Sequence, residues 1–214
     1  MSQVVAVIMA GGKGERFWPF SRRDQPKQML PLTTDKPLLV ETVNRVLPIT
    51  DFDHIFIVSN ERLAPNVLQS LPDLPPQNSL AEPFGRDTAP CLAFSAHVIQ
   101  QRFGADTIML VLSADHHVEH QERFRSYLRQ AICVAEADLL CTIGLEPDRP
   151  EIGYGYLELG EPVAQLGSDV YRVVRFTEKP DEPTAQKMLD SGNYLWNGGM
   201  FCWKTGVFLN AMKR

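Results

Sequence analysis

The stretch GGKGERFWPFSRRDQPKQ, residues 11–28, sets three glycines, two lysines and three arginines against two carboxylates, Glu15 and Asp24. Glycine lets a backbone turn tightly and approach a ligand with no side chain in the way. Consecutive backbone N–H groups on such a turn form a concave anion site, strengthened where a helix begins. The chemistry that follows is the holding of phosphate. The stretch is basic although the whole protein carries a net charge of −5.

Two common phosphate loops fail on spacing. A P-loop needs Gly-Lys followed by Ser or Thr, whereas Lys13 is followed by Gly14 and the hydroxyl is missing. The dinucleotide fingerprint G-x-G-x-x-G fits Gly12 and Gly14 but then meets Phe17, too bulky for close helix–strand contact. A second centre is Ser113-Ala114-Asp115-His116, which closes an apolar run. In open α/β sheets ligands bind beyond the carboxyl ends of strands. A carboxylate there, facing a phosphate loop, suits magnesium, which takes a few oxygen ligands and completes its shell with phosphate oxygens. The plainer reading is that Asp115 caps a turn. His116 and His120 have i, i+4 spacing, but no H-E-x-x-H is present and no third ligand of matching type lies near. Exposed or hydrogen-bonded histidines are therefore expected rather than zinc. In Glu82-Pro83-Phe84-Gly85-Arg86-Asp87-Thr88-Ala89-Pro90, the Asp87 carboxylate can accept two hydrogens from a guanine edge. Equally, Asp87 or Thr88 can cap the helix that starts near Pro90.

Taken together, these segments resemble the sugar-1-phosphate nucleotidyltransferases. The opening loop is similar to their G-G-x-G-x-R…P-K pattern, and the W-P-x-S-R and P-K-Q forms resemble the mannose-1-phosphate guanylyltransferase branch. Ser113–His116 resembles P-A-D-H with serine for proline, and Glu82–Pro90 resembles E-P-x-x-R-N-T-A-P with Asp87 for asparagine. Ile152–Tyr156 resembles T-G-Y-G-Y, Phe176–Pro180 resembles F-V-E-K-P, and Trp196–Phe201 resembles W-N-S-G-M-F with Gly198 for serine. The resemblance runs from Val4 to Phe201. It implies transfer of GMP from GTP to mannose 1-phosphate, giving GDP-mannose and pyrophosphate. It further implies that Gly11, Gly12 and Gly14 present backbone to the nucleotide phosphates. Arg16 would stabilise the triphosphate, Lys27 the α-phosphate, and Asp115 would hold Mg²⁺. Glu82, Arg86, Asp87 and Thr88 would line the nucleotide, while Gly153, Glu178, Lys179 and Asn197 would position the sugar phosphate. The family's second metal-binding aspartate has no match before Arg214, so the chain is expected to be an N-terminal piece with weak turnover alone. Two other readings stay open: a different nucleotide and hexose-1-phosphate pair, and a non-catalytic sensor of sugar nucleotides.

These residues need a scaffold. Val4–Ala10, His54–Ser59, Thr107–Ser113 and Leu139–Leu145 read as strands, and amphipathic helical stretches at 39–47, 88–103 and 123–137 alternate with them. Thr34 or Asp35 is the expected cap of the first helix. Alternation of this kind argues for an α/β protein, Rossmann-like, with a mixed and mostly parallel sheet flanked by helices. After Asp148 the pattern turns to strands at 154–159, 171–177 and 194–203 with one short helix near 184–189. The expected organisation is one catalytic domain over 1–214. Residues 1–150 form its nucleotide half and 151–214 an incomplete sugar-phosphate half. A chain of 214 residues, 44% hydrophobic and 22% charged, suffices for one large core. Its acidic balance argues against general binding to nucleic acid or acidic membrane. Four scattered cysteines without C-x-x-C, and no leader or spanning segment, give cytoplasmic residence as the expectation. A homo-oligomer is left open.

Overall fold

The computed structural model describes residues 2–12, 17–22, 25–82 and 87–213. In chain order its elements are β1 (Val4–Met9), α1 (Leu38–Val46), β2 (Ile55–Asn60), α2 (Ala64–Ser70), β3 (Ser79–Glu82) and α3 (Thr88–Phe103). There follow β4 (Ile108–Ser113), α4 (Gln121–Glu136), β5 (Cys141–Leu145), β6 (Tyr156–Pro162), β7 (Tyr171–Thr177), α5 (Glu182–Ser191), β8 (Tyr194–Lys204) and α6 (Thr205–Ala211). The chain divides into two compact units: one runs to Leu140 and resumes at Phe201, and the other is Cys141–Met200.

In the first unit β1 is the centre. It pairs in parallel with β2 on one side and β4 on the other, and β3 extends the sheet beyond β2, also in parallel. The end of β8 lies antiparallel to β4, with Met109 opposite Trp203 and Val111 opposite Phe201. Both faces are covered, which explains why these strands read as unbroken apolar runs rather than alternating ones. Side chains still alternate across the sheet. Val5, Val7, Phe56, Val58, Met109 and Val111 pack with Leu92, Ala96 and Ile99 of α3 and with Trp203 and Phe208. The Trp203 and Phe208 rings stack with centroids 4.4 Å apart and 4° between planes. Such a pair adds about 0.5–1.5 kcal/mol beyond its buried area.

The second unit is antiparallel where its register is set. β6 pairs with β7 on one side and with the start of β8 on the other, and β5 also pairs with β8. The two units do not follow the division at residue 150 drawn from the sequence, because β5 joins the later strands and the end of β8 returns to β4. Asp181 caps α5, accepting from the Thr184 backbone N–H at 3.0 Å, and left-handed Gly192 ends that helix.

Two local expectations are corrected. α1 opens at Pro37 with no side-chain cap, and the Thr33 and Thr34 hydroxyls instead donate to Glu41, one turn inside the helix. Asp87 stands before α3 but makes no cap hydrogen bond, and its φ of 61° turns the backbone out of the ordinary capping geometry. The short elements α2 and β3 flank the proline-rich loop at 71–78, where the apolar pattern marks neither.

Candidate active site

β1 and β4 run side by side in register, Met9 opposite Ser113, so their chains leave the sheet at the same edge. Pairing continues one residue further. Ala10 N–H donates to Val58 at 2.7 Å, and Ala114 N–H donates to Met9 at 3.0 Å. Gly11 and Gly12 thus leave the sheet beside the Ala114–Asp115 step. Lys27 opens a short 3-10 helix, Lys27–Met29, and its Nζ donates to Asp115 Oδ2 at 3.0 Å. The Ser113 hydroxyl donates to the other carboxylate oxygen at 2.7 Å. Lys27 Nζ also lies 5.0 Å from the Phe17 ring centre. Burial by itself would raise the Asp115 pKa. The Ser113 hydrogen bond and the hydrogen bond and charge of Lys27 outweigh it and hold the carboxyl below its usual range. The group is therefore an anion at neutral pH, with one oxygen on a hydroxyl and one on a cation.

Gln28 is the residue whose role the sequence leaves unassigned. It is buried, and its side-chain NH₂ donates to the carbonyls of Ala10 at 2.5 Å and Gly12 at 3.1 Å. The two carbonyls flank Gly11, so Gln28 ties the Gly11–Gly12 backbone to the helix that carries Lys27. Glu82, at the end of β3, faces the same turn: a Cβ on Gly11 would sit 3.4 Å from its Oε2. Burial raises the Glu82 pKa, opposed by a hydrogen bond with Cys91, and burial next to that carboxylate pushes the Cys91 thiol up to about 12. Thr88 begins α3 directly after Asp87. Gly14, Arg16 and Arg86 lie outside the described residues.

In the second unit Asn197 Oδ1 accepts from the Thr142 hydroxyl at 3.1 Å and from Gly199 N–H at 3.2 Å. Its own backbone N–H donates to Gly155 O at 2.8 Å. The sequence suggests a free donor and acceptor on this amide. The structure engages the acceptor of this amide. Glu178 and Lys179 pair with each other at 3.0 Å, both well exposed, and Lys179 has a φ of 41°. Glu178 also approaches Gly155, where a Cβ would lie 3.2 Å from Oε2 and 2.5 Å from the Phe176 ring. Gly153 N–H donates to Glu151 at 2.9 Å. Asn197, Gly155 and Glu178 are thus neighbours, while Gly153 sits on the preceding turn.

The profile of the nucleotidyl transferase family matches residues 5–214. The chain belongs to that family. It is 39% identical over 223 aligned residues to mannose-1-phosphate guanylyltransferase ManC of Salmonella typhimurium, covering 100% of this chain and 45% of that protein. Against the alginate biosynthesis protein AlgA of Pseudomonas aeruginosa it is 38% identical over 219 residues, covering 99% of this chain and 44% of the relative. Among solved structures, a Thermus thermophilus protein described as a mannose-1-phosphate geranyltransferase superposes with a TM-score of 0.89. It is 34% identical and covers 99% of this chain and 60% of that one. The chain therefore spans less than half the length of the curated relatives it matches.

The first unit offers a cation, a carboxylate and the Gly11–Gly12 backbone at one sheet edge. Ligands of α/β sheets are met at such edges. Motif reading passes over Thr142, whose hydroxyl lies within hydrogen-bond reach of Asn197 Oδ1 and the Met200 carbonyl, and it includes Gln28 only within P-K-Q, with no role. Neither carries a charge, and their contacts join segments distant in sequence. The Gly198 departure from the family pattern has a steric cause. A Cβ there would lie 2.8 Å from the Ile143 carbonyl on the paired strand, so serine does not fit this backbone.

Proposed function

We propose that the protein transfers GMP from GTP to mannose 1-phosphate. A phosphate oxygen of the sugar attacks the α-phosphorus in line, the bond to the β-phosphate oxygen breaks, and pyrophosphate leaves. Two anions must be brought together, so the protein's task is to neutralise and orient them. The observation that carries the reading is the 3.0 Å Lys27–Asp115 pair beside the glycine turn, in a chain 39% identical to a guanylyltransferase.

In this reading the backbones of Gly11, Gly12 and Gly14 face the nucleotide phosphates, and Arg16 stabilises the triphosphate and the departing pyrophosphate. Lys27 exchanges its carboxylate partner for the α-phosphate and the charge that develops there. Glu82, Arg86, Asp87 and Thr88 lie on the base side. Gly153, Glu178, Lys179 and Asn197 position the sugar phosphate, with Lys179 as a mobile point charge. Asp115 fits magnesium as a single hard oxygen ligand, since it is anionic and no cluster of three or more His, Cys, Asp or Glu able to hold a metal occurs among the described residues. Magnesium would take its other ligands from phosphate and water and would neutralise phosphate charge. The reaction is placed in the cytoplasm. In support, the four cysteines are free thiols.

The test is a panel of nucleoside triphosphates against hexose 1-phosphates with Mg²⁺, scored by pyrophosphate release and by chromatography of the product. GTP with mannose 1-phosphate should be the best pair. Faster turnover of another pair, or tight GDP-mannose binding with no exchange of labelled pyrophosphate, would overturn the assignment.

A further inference from the structure

Asp115 is gripped from behind. On α1, Thr42 and Arg45 lie three residues apart and so share a helix face, and both are buried, Arg45 being 2% exposed. Thr42 Oγ1 donates to the Ala114 carbonyl at 3.4 Å, and Arg45 Nη2 donates to the His116 carbonyl at 3.2 Å. Those two carbonyls flank Asp115 on either side. Arg45 Nη1 also donates to Thr42 Oγ1 at 3.4 Å. A hydroxyl has one hydrogen to give. With Arg45 donating to the Thr42 oxygen, that hydrogen is directed to Ala114. Arg45 is itself held over the Phe124 ring at 5.8 Å.

A buried arginine is an expensive way to fill a core position. Taking its charge out of water costs several kcal/mol unless hydrogen bonds offset it. Burial accordingly depresses its pKa, with the Glu41 charge acting the other way. An aliphatic side chain would pack α1 without that cost. What an aliphatic residue cannot do is donate to the His116 carbonyl and to the Thr42 oxygen at once.

We infer that Thr42 and Arg45 are positioning residues that set the backbone on both sides of Asp115 and thereby aim its carboxylate at Lys27. The inference rests on the proposed role of Asp115 and deepens it. Neither residue touches substrate. Loss of an outer partner of this kind typically lowers activity about 10-fold to 100-fold.

The decisive variants are Thr42→Val, which keeps shape and removes the hydroxyl, and Thr42→Ser, which restores it. Thr42→Val should lower kcat by about 10-fold or more with KM for GTP changed less than about 2-fold, and Thr42→Ser should recover the rate. In the ligand-free protein the Ala114 amide, bonded to Met9, should exchange its hydrogen about 10-fold faster in Thr42→Val, with the amides of Val5–Ile8 unchanged. Wild-type kcat in Thr42→Val together with unchanged Ala114 exchange would overturn the inference. So would a rate loss that Thr42→Ser shares, since that would report packing alone. The exchange measurement needs no turnover. If the wild-type protein fails to use GTP, the proposed function falls, and unchanged or faster exchange at Ala114 still decides the positioning role.

Discussion

Among the described residues Lys27 makes one ion pair and one ring contact, and it is partly exposed, at 25% of its side-chain surface. A pair of that exposure contributes little to stability, about 0–1 kcal/mol. In the proposed reaction its value is electrostatic, and removal of one preorganised stabiliser of transition-state charge typically costs about 10²–10³ in turnover. Lys27→Ala should therefore cut kcat by that order with a melting temperature close to the parent. A variant with nearly full turnover would show that the pair is only structural. The charged pair of the candidate site was legible in the sequence because type and spacing announce it: a lysine after proline, an aspartate closing an apolar strand. Gln28, Thr42 and Arg45 were not. A polar residue on an amphipathic helix gives no sign of whether it faces water or a distant carbonyl. Arg45 would ordinarily be read as solvated, since arginine is rarely buried without a partner.

Among the elements, the long strands and helices follow from apolar runs and 3.6-residue periodicity, and α3 spans the residues the pattern indicates, Thr88–Phe103. β3 has four residues and α2 has seven. Segments that short hold too few periods for a pattern to form, and tertiary contacts decide them. The packing of β5 on β8 was likewise out of reach, yet it explains a sequence oddity. Gly198 lets the two strands approach, and a Cβ there would strike a backbone carbonyl at 2.8 Å, which cannot swing aside as a side chain does. Gly198→Ser should destabilise the protein by about 1–3 kcal/mol, the usual cost of overpacking. Thermal or denaturant unfolding checks it, and a neutral substitution would mean that β5 yields freely.

On the scale of the whole molecule, β7 stands out in the second unit. Among the described residues it pairs with β6 alone, and Tyr171, Val173, Val174 and Phe176 are all exposed, Val174 at 63%. A long apolar edge strand is a template for pairing between chains. Val174→Lys should raise the protein concentration at which light scattering sets in by at least about two-fold, with circular dichroism unchanged. An unaltered onset would show that association proceeds through another surface.

The route of β8 has a consequence for biosynthesis. Trp203 and Phe208 belong to the core that Val5, Phe56 and Met109 begin. A ribosome delivers residues in order, so the nascent sheet around β1 lacks those two rings until all of 141–200 has been translated. Contiguous domains can consolidate as they emerge; here the core of the first unit stays half-closed until Trp203 and Phe208 have left the exit tunnel.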